Sequence, residues 1–246
     1  MTIIIDGKPC ECSPGEYLLN IAARNGIAIP ALCHHEGLPE QGCCRVCIVE
    51  VETNGALSIV TACVYPVERG CTVYTNSENV VRQRRTTLSL LRSLAPDSDE
   101  ITRLCQEFAA PVFTRFVKQT GGKCILCGLC VRACESLGTG AIGTAGRGVN
   151  KAVTTPYDEP SMVCVGCASC AAVCPTGAIS VADTDTERHI WNKALPLKKC
   201  DKCGAVMGTY MEHWRAASAI GAEVPELCDD CRRKTIASVM SATYGR

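Results

Sequence analysis

Apolar positions near the start of the chain predict a strand, a turn and a short helix. The stretch Thr2–Asp6 has the apolar composition of a strand, and Gly7-Lys8 supplies a turn into a second strand. Tyr17–Asn25 has the apolar spacing of a short helix, and Gly26 stands where a helix commonly ends. These elements predict a small domain that is rich in β-structure.

A second pair of strands follows in the same domain. Ile48–Thr53 and Leu57–Thr61 are β-type runs, and Asn54-Gly55 between them is a strong hairpin signal because both residues tolerate positive φ. We therefore expect a first domain over residues 1–78.

The pattern then changes to a helical period, which predicts a helical connector over residues 79–120. Thr75-x-x-Glu78 has the form of a capping box at its start. A second helix is expected to begin near Asp97-x-x-Glu100, and Pro111 is expected to end or kink it. The predicted apolar faces consist of Val80, Val81, Leu88, Leu91 and Ala95 in the first helix and Ile101, Leu104, Cys105 and Phe108 in the second.

Composition limits the classes of function. Aromatic residues make up only 4% of the chain, so we expect small cores organised around metal. Twenty-five basic and 25 acidic residues cancel, which argues against binding to nucleic acid or to an anionic membrane. The N-terminal residues lack the features of a signal peptide, and no apolar run approaches the roughly 18 residues of a membrane span. We therefore expect a cytoplasmic protein without a membrane span.

The 21 cysteines are the chain's most specific feature. Disulfides would suit a secreted protein, whereas regular C-x2-C spacing and a reducing compartment favour metal ligation.

Residues 121–182 contain an internal repeat of the motif C-x2-C-x2-C-x3-C, and each copy is followed by Thr-Gly-Ala-Ile. In this motif three cysteines hold one [4Fe–4S] cluster and the fourth holds the other. The assignment is Cys124, Cys127, Cys130 and Cys174 for cluster one, and Cys134, Cys164, Cys167 and Cys170 for cluster two. Zinc or purely structural thiols is the competing interpretation.

A third set has the spacing C-x10-C-x2-C-x15-C, which is not the plant-type spacing. Its segments are Cys33-His34-His35, Gly42–Val51 and Thr61-Ala62-Cys63. In these segments the chain resembles the [2Fe–2S] domain of the large iron–sulfur subunit of respiratory complex I, of NAD-coupled [NiFe] hydrogenases and of multi-cluster [FeFe] hydrogenases. The resemblance implies a β-grasp-like fold, with Cys43 as a bystander. The ligands that it implies are Cys33, Cys44, Cys47 and Cys63.

The resemblance extends to residue 182 with one break. These relatives usually carry a further [4Fe–4S] site with one histidine and three cysteine ligands between the two domains. Residues 93–116 contain no histidine and only Cys105, which lies on a predicted apolar face and is expected to pack in the core.

The tail, residues 183–246, pairs Cys200-x2-Cys203 with Cys228-x2-Cys231 and has helical patterns near 209–220 and 232–243. Two such cysteine pairs can close a structural zinc site, and a fourth iron–sulfur cluster would use the same thiolates. The sequence favours zinc.

Other chemistry-bearing residues have weaker signals. Gly138-x-Gly140-x-x-Gly143 matches a dinucleotide fingerprint, but it follows a cluster ligand rather than a strand. His34 and His35 are expected to support the neighbouring site or lie on the surface. The remaining cysteines without a partner set are Cys10, Cys12, Cys43 and Cys71.

The expected fold class is α+β, with a β-grasp [2Fe–2S] domain, a helical connector, a ferredoxin-like 2[4Fe–4S] domain and a metal-stapled tail. The expected function is an electron-transfer subunit with no catalytic site of its own. The resemblance implies a hetero-oligomeric complex with a flavin- and NAD(P)-binding iron–sulfur subunit and a catalytic, hydrogenase-type subunit. Alternatives are the equivalent subunit of a formate dehydrogenase or other NADH-linked complex, a stand-alone ferredoxin, and a miniature [FeFe] hydrogenase.

Overall fold

A computed structural model describes residues 1–115 and 122–244. The predicted end of the helical connector, residues 116–120, lies outside the described residues. The chain divides into two compact units, Met1–Arg132 with Val173–Ala178, and Ala133–Ala172 with Ile179–Arg246.

The first unit has a five-stranded sheet, a two-stranded pair and three helices before the cysteine repeat. The elements are β1 (Thr2–Ile5), β2 (Lys8–Glu11), β3 (Glu16–Tyr17), α1 (Leu18–Arg24), β4 (Ile48–Thr53), β5 (Ala56–Thr61), β6 (Pro66–Val67), β7 (Thr72–Tyr74), α2 (Glu78–Leu94) and α3 (Asp99–Glu107).

The five-stranded sheet has the order β2-β1-β7-β4-β5, and β3 pairs with β6. The central pair, β1 and β7, is parallel, and the other neighbours in this sheet are antiparallel. The hairpin predicted at Asn54-Gly55 is confirmed, since both residues have the positive φ that a two-residue turn requires. The first turn lies at Asp6-Gly7, one residue earlier than predicted, because Lys8 already pairs with Ile5.

One core lies between this sheet and α1. β1 buries Ile3 and Ile5 on alternate positions, as the two-residue period of a strand requires, and α1 buries Leu18 against them. Burying a side chain of this size contributes about 1.5–3 kcal/mol. Cys47 and Cys63 belong to the same core, so the first cysteine set is continuous with the packing of the domain.

The two connector helices are confirmed, but the cap of α2 is not where the sequence placed it. Ser77 caps α2 by accepting a hydrogen bond from the Val80 amide at 3.3 Å. Thr75 instead directs both its amide and its hydroxyl to Asp6, which holds the end of β7 to the first turn. Ser98 caps α3 in the same manner as Ser77 caps α2.

A second core joins the connector helices to the loop that contains Cys33. Leu88, Ile101 and Leu104 pack there, as their helical spacing predicted. Cys105 is buried among them and its Sγ lies 3.5 Å from the Leu88 carbonyl, which confirms a packing role.

The cysteine repeat and the tail contain the remaining elements. They are α4 (Leu129–Ser136), β8 (Gly143–Ala145), β9 (Ala152–Thr154), α5 (Ser169–Ala172), β10 (Ala182–Asp183), β11 (Glu187–Ile190), β12 (Lys193–Lys199), β13 (Val206–Thr209), α6 (Tyr210–Ile220) and α7 (Asp229–Tyr244).

The tail has more regular structure than its sequence indicated. Its two predicted helices are confirmed as α6 and α7, and α6 begins with a capping box formed by Thr209 and Glu212. The antiparallel sheet β10-β11-β12-β13 was not predicted. Among the described residues, no helix has both the length and the apolar character needed to cross a membrane.

Candidate iron–sulfur and metal sites

The cysteines of the first set come from three segments that the sheet brings together. Cys33 lies in the loop after α1, Cys44 and Cys47 lie in the loop that leads into β4, and Cys63 lies in a 3-10 turn after β5. Because β4 and β5 are paired, Cys47 and Cys63 meet, and the Ala62 amide donates to the Cys47 carbonyl at 3.0 Å. All four cysteines are buried.

The thiols of this set hydrogen-bond to one another. Side-chain contacts with Cys43, Cys44 and Cys63 hold the pKa of Cys33 far below its usual range. The same contacts raise the pKa of Cys43, Cys44 and Cys63, and a further contact between Cys63 and Cys47 lowers the pKa of Cys47. Four converging thiols that lose their protons when they bind iron are a suitable donor set for a [2Fe–2S] cluster.

A buried arginine supports the loop of this set. Arg84 of α2 is 1% exposed and donates to the carbonyls of Val46, Ile48 and Thr75 at 3.1, 2.7 and 3.1 Å. Burial lowers its pKa, and the nearby thiolate of Cys47 acts in the opposite direction. Arg84 therefore fixes the backbone on both sides of Cys47 and places a positive charge beside the thiols.

The structure brings together the four cysteines assigned to cluster one. Burial raises the pKa of Cys130 to about 12, with further contributions from the negative charges of Cys127, Cys124 and Cys174. Burial likewise raises the pKa of Cys127, and the negative charges of Cys174 and Cys124 raise it further. The Ala178 amide donates a hydrogen bond to the Cys174 sulfur at 3.3 Å. A thiol must lose its proton to bind metal, so the raised pKa values of Cys127 and Cys130 make their ionisation part of metal loading.

The cysteines assigned to cluster two also lie together. Cys134, Cys164, Cys167 and Cys170 line one cavity. Burial raises the pKa of Cys164 and Cys170, and the charges of Cys134 and Cys167 add to this effect at both positions. The Ala141 amide donates to the Cys134 sulfur at 3.1 Å.

The two motif loops have the same unusual backbone. Leu126 and Gly128 have positive φ in the first copy, and Gly166 and Ala168, at the equivalent positions, have positive φ in the second. This conformation turns successive amides inward and makes a concave, anion-binding backbone. In the first copy the Leu126 amide is 3.4 Å from the Cys124 sulfur. The two loops thus share a backbone conformation although their sequences differ.

The first set and the cluster-one set are directly connected. The Cys43 sulfur donates to the Cys127 carbonyl at 3.2 Å. The Arg132 guanidinium donates to the Cys33 carbonyl at 3.0 Å and to the Cys127 carbonyl at 3.4 Å, and also contacts the Pro39 carbonyl. Cys43 is therefore a thiol between the two ligand loops, which the motif did not indicate.

The tail cysteines form a closed tetrad. The sulfurs of Cys200, Cys203, Cys228 and Cys231 all lie within 4.8 Å of one another. Backbone hydrogen bonding, chiefly at Cys228, lowers the pKa of Cys200 to about 6. Thiol contacts, chiefly with Cys203, raise the pKa of Cys231 to about 12. Four thiols around one point fit a tetrahedral zinc ion, and they also fit a cluster.

The remaining candidate residues have structural partners. His34 pairs with Glu40 at 2.6 Å, and the His35 ring accepts from the Gly37 amide at 3.1 Å. The glycine fingerprint at 138–143 follows α4 rather than a strand, so it lacks the context of a nucleotide site. Cys10 and Cys12 are buried in the first core.

Comparison with known families agrees with the two kinds of cysteine set. Residues 1–78 match the model of a 2Fe-2S iron–sulfur cluster binding domain. Residues 123–178 match the model of a 4Fe-4S dicluster domain.

A solved structure decides the family. One chain of an NAD+-reducing [NiFe]-hydrogenase, determined in the H2-reduced state, is 30% identical with a TM-score of 0.54. The match covers 63% of the present chain and 74% of the hydrogenase chain. The chain belongs to this family of iron–sulfur electron-transfer subunits. The resemblance to complex I and hydrogenase subunits that the motifs predicted is thereby confirmed.

Curated relatives of this chain are much longer proteins. The NADP-reducing hydrogenase subunit HndD of Solidesulfovibrio fructosivorans is 31% identical over 82% of the chain. An NADH-quinone oxidoreductase subunit of Rhizobium meliloti is 28% identical over 82% of it. The alpha subunit of an NADPH-Fe(3+) oxidoreductase of Geobacter sulfurreducens is 31% identical over 73% of it. The match spans only 39%, 26% and 24% of these relatives.

The role of Arg84 leads to a prediction. Replacing Arg84 by Gln removes donors from buried carbonyls, and each carbonyl left unpaired costs about 1–3 kcal/mol of stability. We expect the visible absorbance of the first site to be lost at lower urea than in the unmodified chain. Anaerobic urea titration followed by visible absorbance and circular dichroism measures this.

The control is Arg82→Gln, because Arg82 is exposed on the same helix and its guanidinium donates to the side chain of Asn79, on the surface of α2. Equal urea midpoints for the two variants would contradict the proposed support of the Cys47 loop.

Proposed function

We propose that this subunit relays single electrons through three clusters. The [2Fe–2S] ligands are Cys33, Cys44, Cys47 and Cys63. The cluster-one ligands are Cys124, Cys127, Cys130 and Cys174, and the cluster-two ligands are Cys134, Cys164, Cys167 and Cys170. Iron–sulfur clusters supply one-electron donors and acceptors whose potentials depend on hydrogen bonds to sulfur, charge and exposure.

A β-grasp fold for the first domain is part of this proposal. It is supported by the mixed five-stranded sheet, in which the parallel pair β1 and β7 lies between two antiparallel hairpin-like arms, with α1 packed on one face. We also propose the domain limits 1–78, 79–120, 121–182 and 183–246.

The observation that carries the relay is the contact between the first set and the cluster-one set. The loop of Cys33 and the loop of Cys127 share the Arg132 guanidinium, and the thiol of Cys43 bonds to the second loop. We infer from this contact that electrons pass directly between these two sites, without a further metal centre from the connector. This arrangement suits a chain in which the connector cysteine, Cys105, packs in the core.

The partners that we propose are a flavin- and NAD(P)-binding iron–sulfur subunit and a hydrogenase-type catalytic subunit in the cytoplasm. The names of the relatives support this pairing, since they include an NAD+-reducing hydrogenase and an NADP-reducing hydrogenase subunit. Clusters and cofactors carry the redox chemistry in such complexes, and the protein supplies their position and electrostatic environment.

For the tail tetrad we propose a structural zinc ion. The tetrad fastens the turn after β12 to the start of α7, and the Asp201 amide bonds to the Glu226 carbonyl across the same two segments at 3.0 Å. A zinc ion with four protein thiolates has no open position for catalysis.

Removal of one cluster ligand tests the relay. In the assembled complex, Cys167→Ser should abolish electron transfer from NAD(P)H to the terminal acceptor, because the path through cluster two is interrupted. Reduction of a dye at the flavin subunit should continue. Steady-state assays of both reactions on the purified complex measure these rates.

The control is Cys71→Ser, since Cys71 is partly buried and packs against the first core rather than belonging to a ligand set. Undiminished coupled turnover in Cys167→Ser would refute the relay.

Metal analysis tests the tetrad. In the full chain, Cys203→Ser should lower zinc while iron stays at about ten atoms per chain, the sum of one binuclear and two cubane clusters. Inductively coupled plasma analysis of both proteins gives these contents. A loss of about four irons with no change in zinc would assign the tetrad to a fourth cluster.

A further inference from the structure

The hairpin of β11 and β12 turns at two residues with an unusual backbone. Trp191 and Asn192 have φ values of 52° and 57°, the left-handed conformation that a two-residue hairpin turn requires. Asn tolerates this conformation, whereas it is strained for a bulky aromatic residue. A strained tryptophan that the surrounding structure holds in place calls for a role of its own.

The indole of Trp191 is directed at a ligand of cluster two. Its Nε1–H group donates to the Cys170 sulfur at 3.4 Å. Trp191 and the neighbouring Ile190 also line the cavity that contains all four cluster-two cysteines. The hairpin thus covers this cavity and supplies a hydrogen-bond donor to one of its sulfurs.

Several polar contacts hold the hairpin in this position. Lys193 donates to the carbonyls of Ser161, Met162 and Cys164 at 2.9, 3.2 and 2.8 Å. Arg188 donates to the Gly166 carbonyl at 2.9 Å and makes a two-point contact with Asp183. The ammonium group of Lys193 adds a positive charge next to the ligand loop.

The two copies of the repeat differ at this point. Cys130 occupies in the first copy the position that Cys170 occupies in the second. Arg132, two residues after Cys130, donates to the backbone carbonyls of Cys33 and Cys127, whereas the Trp191 indole donates to the Cys170 sulfur itself. The hairpin therefore distinguishes two sites that the cysteine motif alone makes equivalent.

We propose that Trp191 and Lys193 raise the reduction potential of cluster two and that Trp191 does so through its hydrogen bond to Cys170. Reduction adds negative charge to the cluster and its sulfurs, and an N–H donor or a nearby cation stabilises that charge more strongly in the reduced form. Trp191 and Lys193 are positioning residues: they change the reduction potential from beside the cluster and are not ligands of it. The inference rests on the proposed function only in requiring a [4Fe–4S] cluster on these four cysteines.

The test is an anaerobic redox titration of the full chain followed by EPR. Trp191→Phe keeps the aromatic cover but removes the N–H donor, so the midpoint potential of cluster two should become more negative. The midpoints of the other two clusters should not move. Lys193→Gln should shift the same midpoint in the same direction.

The matched control is Trp214→Phe, because Trp214 is the other tryptophan of the chain and is exposed on α6. All three midpoints should be unchanged in this variant. A cluster-two midpoint that is unchanged in Trp191→Phe, or that shifts equally in Trp214→Phe, would overturn the proposal.

A second measurement remains decisive if Trp191→Phe fails to retain its cluster. In Trp214→Phe, Trp191 is the only tryptophan, so indole labelled with 15N marks a single atom. Pulsed EPR of the reduced protein should show coupling between the cluster-two spin and this nitrogen, and absence of that coupling overturns the proposal. Absence of any [4Fe–4S] signal from the unmodified chain would instead overturn the proposed function.

Discussion

The structure depends on concentrating thiol sulfurs in small buried spaces. Buried thiols are costly to ionise, and neighbouring thiolates repel one another. Both effects raise the pKa of Cys130, to about 12. Metal ions can neutralise this charge, and the protein adds inward amides, Arg84 beside the first set and Lys193 beside the last repeat loop. Much of the local structure serves to bring sulfurs together and to supply positive groups around them.

This constraint explains the path of the chain. Cys63 lies near Cys47 because the hairpin of β4 and β5 brings the end of β5 beside the start of β4. Within the first unit, residues 173–178 rejoin the part of the chain that contains Cys124 and thereby add Cys174 to its set. The aromatic-poor composition is consistent with cores in which cysteines replace large side chains.

Short-range patterns made much of the first unit predictable. Asn54-Gly55 specifies a turn by itself, and the spacing of Leu88, Ile101 and Leu104 marks faces that are indeed buried. The cysteine motifs also identified groups that converge in space. These signals are local or, for the cysteines, come from residue types with a narrow chemistry.

Features that depend on tertiary partners were not predictable in the same way. The sequence predicts Thr75 as the cap of α2, but Ser77 is the cap in the structure. Thr75 instead donates hydrogen bonds to Asp6, which is distant in sequence. Arg84 lies four residues from both Val80 and Leu88, a spacing that could have marked it as buried, but nothing local reveals its carbonyl acceptors. Trp191 lies in a hairpin turn that contains no Gly, so the turn lacks the usual sequence signal. Its contact with the Cys170 sulfur was therefore not predictable either.

The central claim is that this subunit holds three separate clusters on these cysteines. Mössbauer spectroscopy of the full chain enriched in 57Fe tests it most directly, because binuclear and cubane iron give distinct spectra. The account predicts about one fifth of the iron in a [2Fe–2S] centre and about four fifths in [4Fe–4S] centres. Iron confined to a single cluster type, or present as mononuclear thiolate sites, would contradict it.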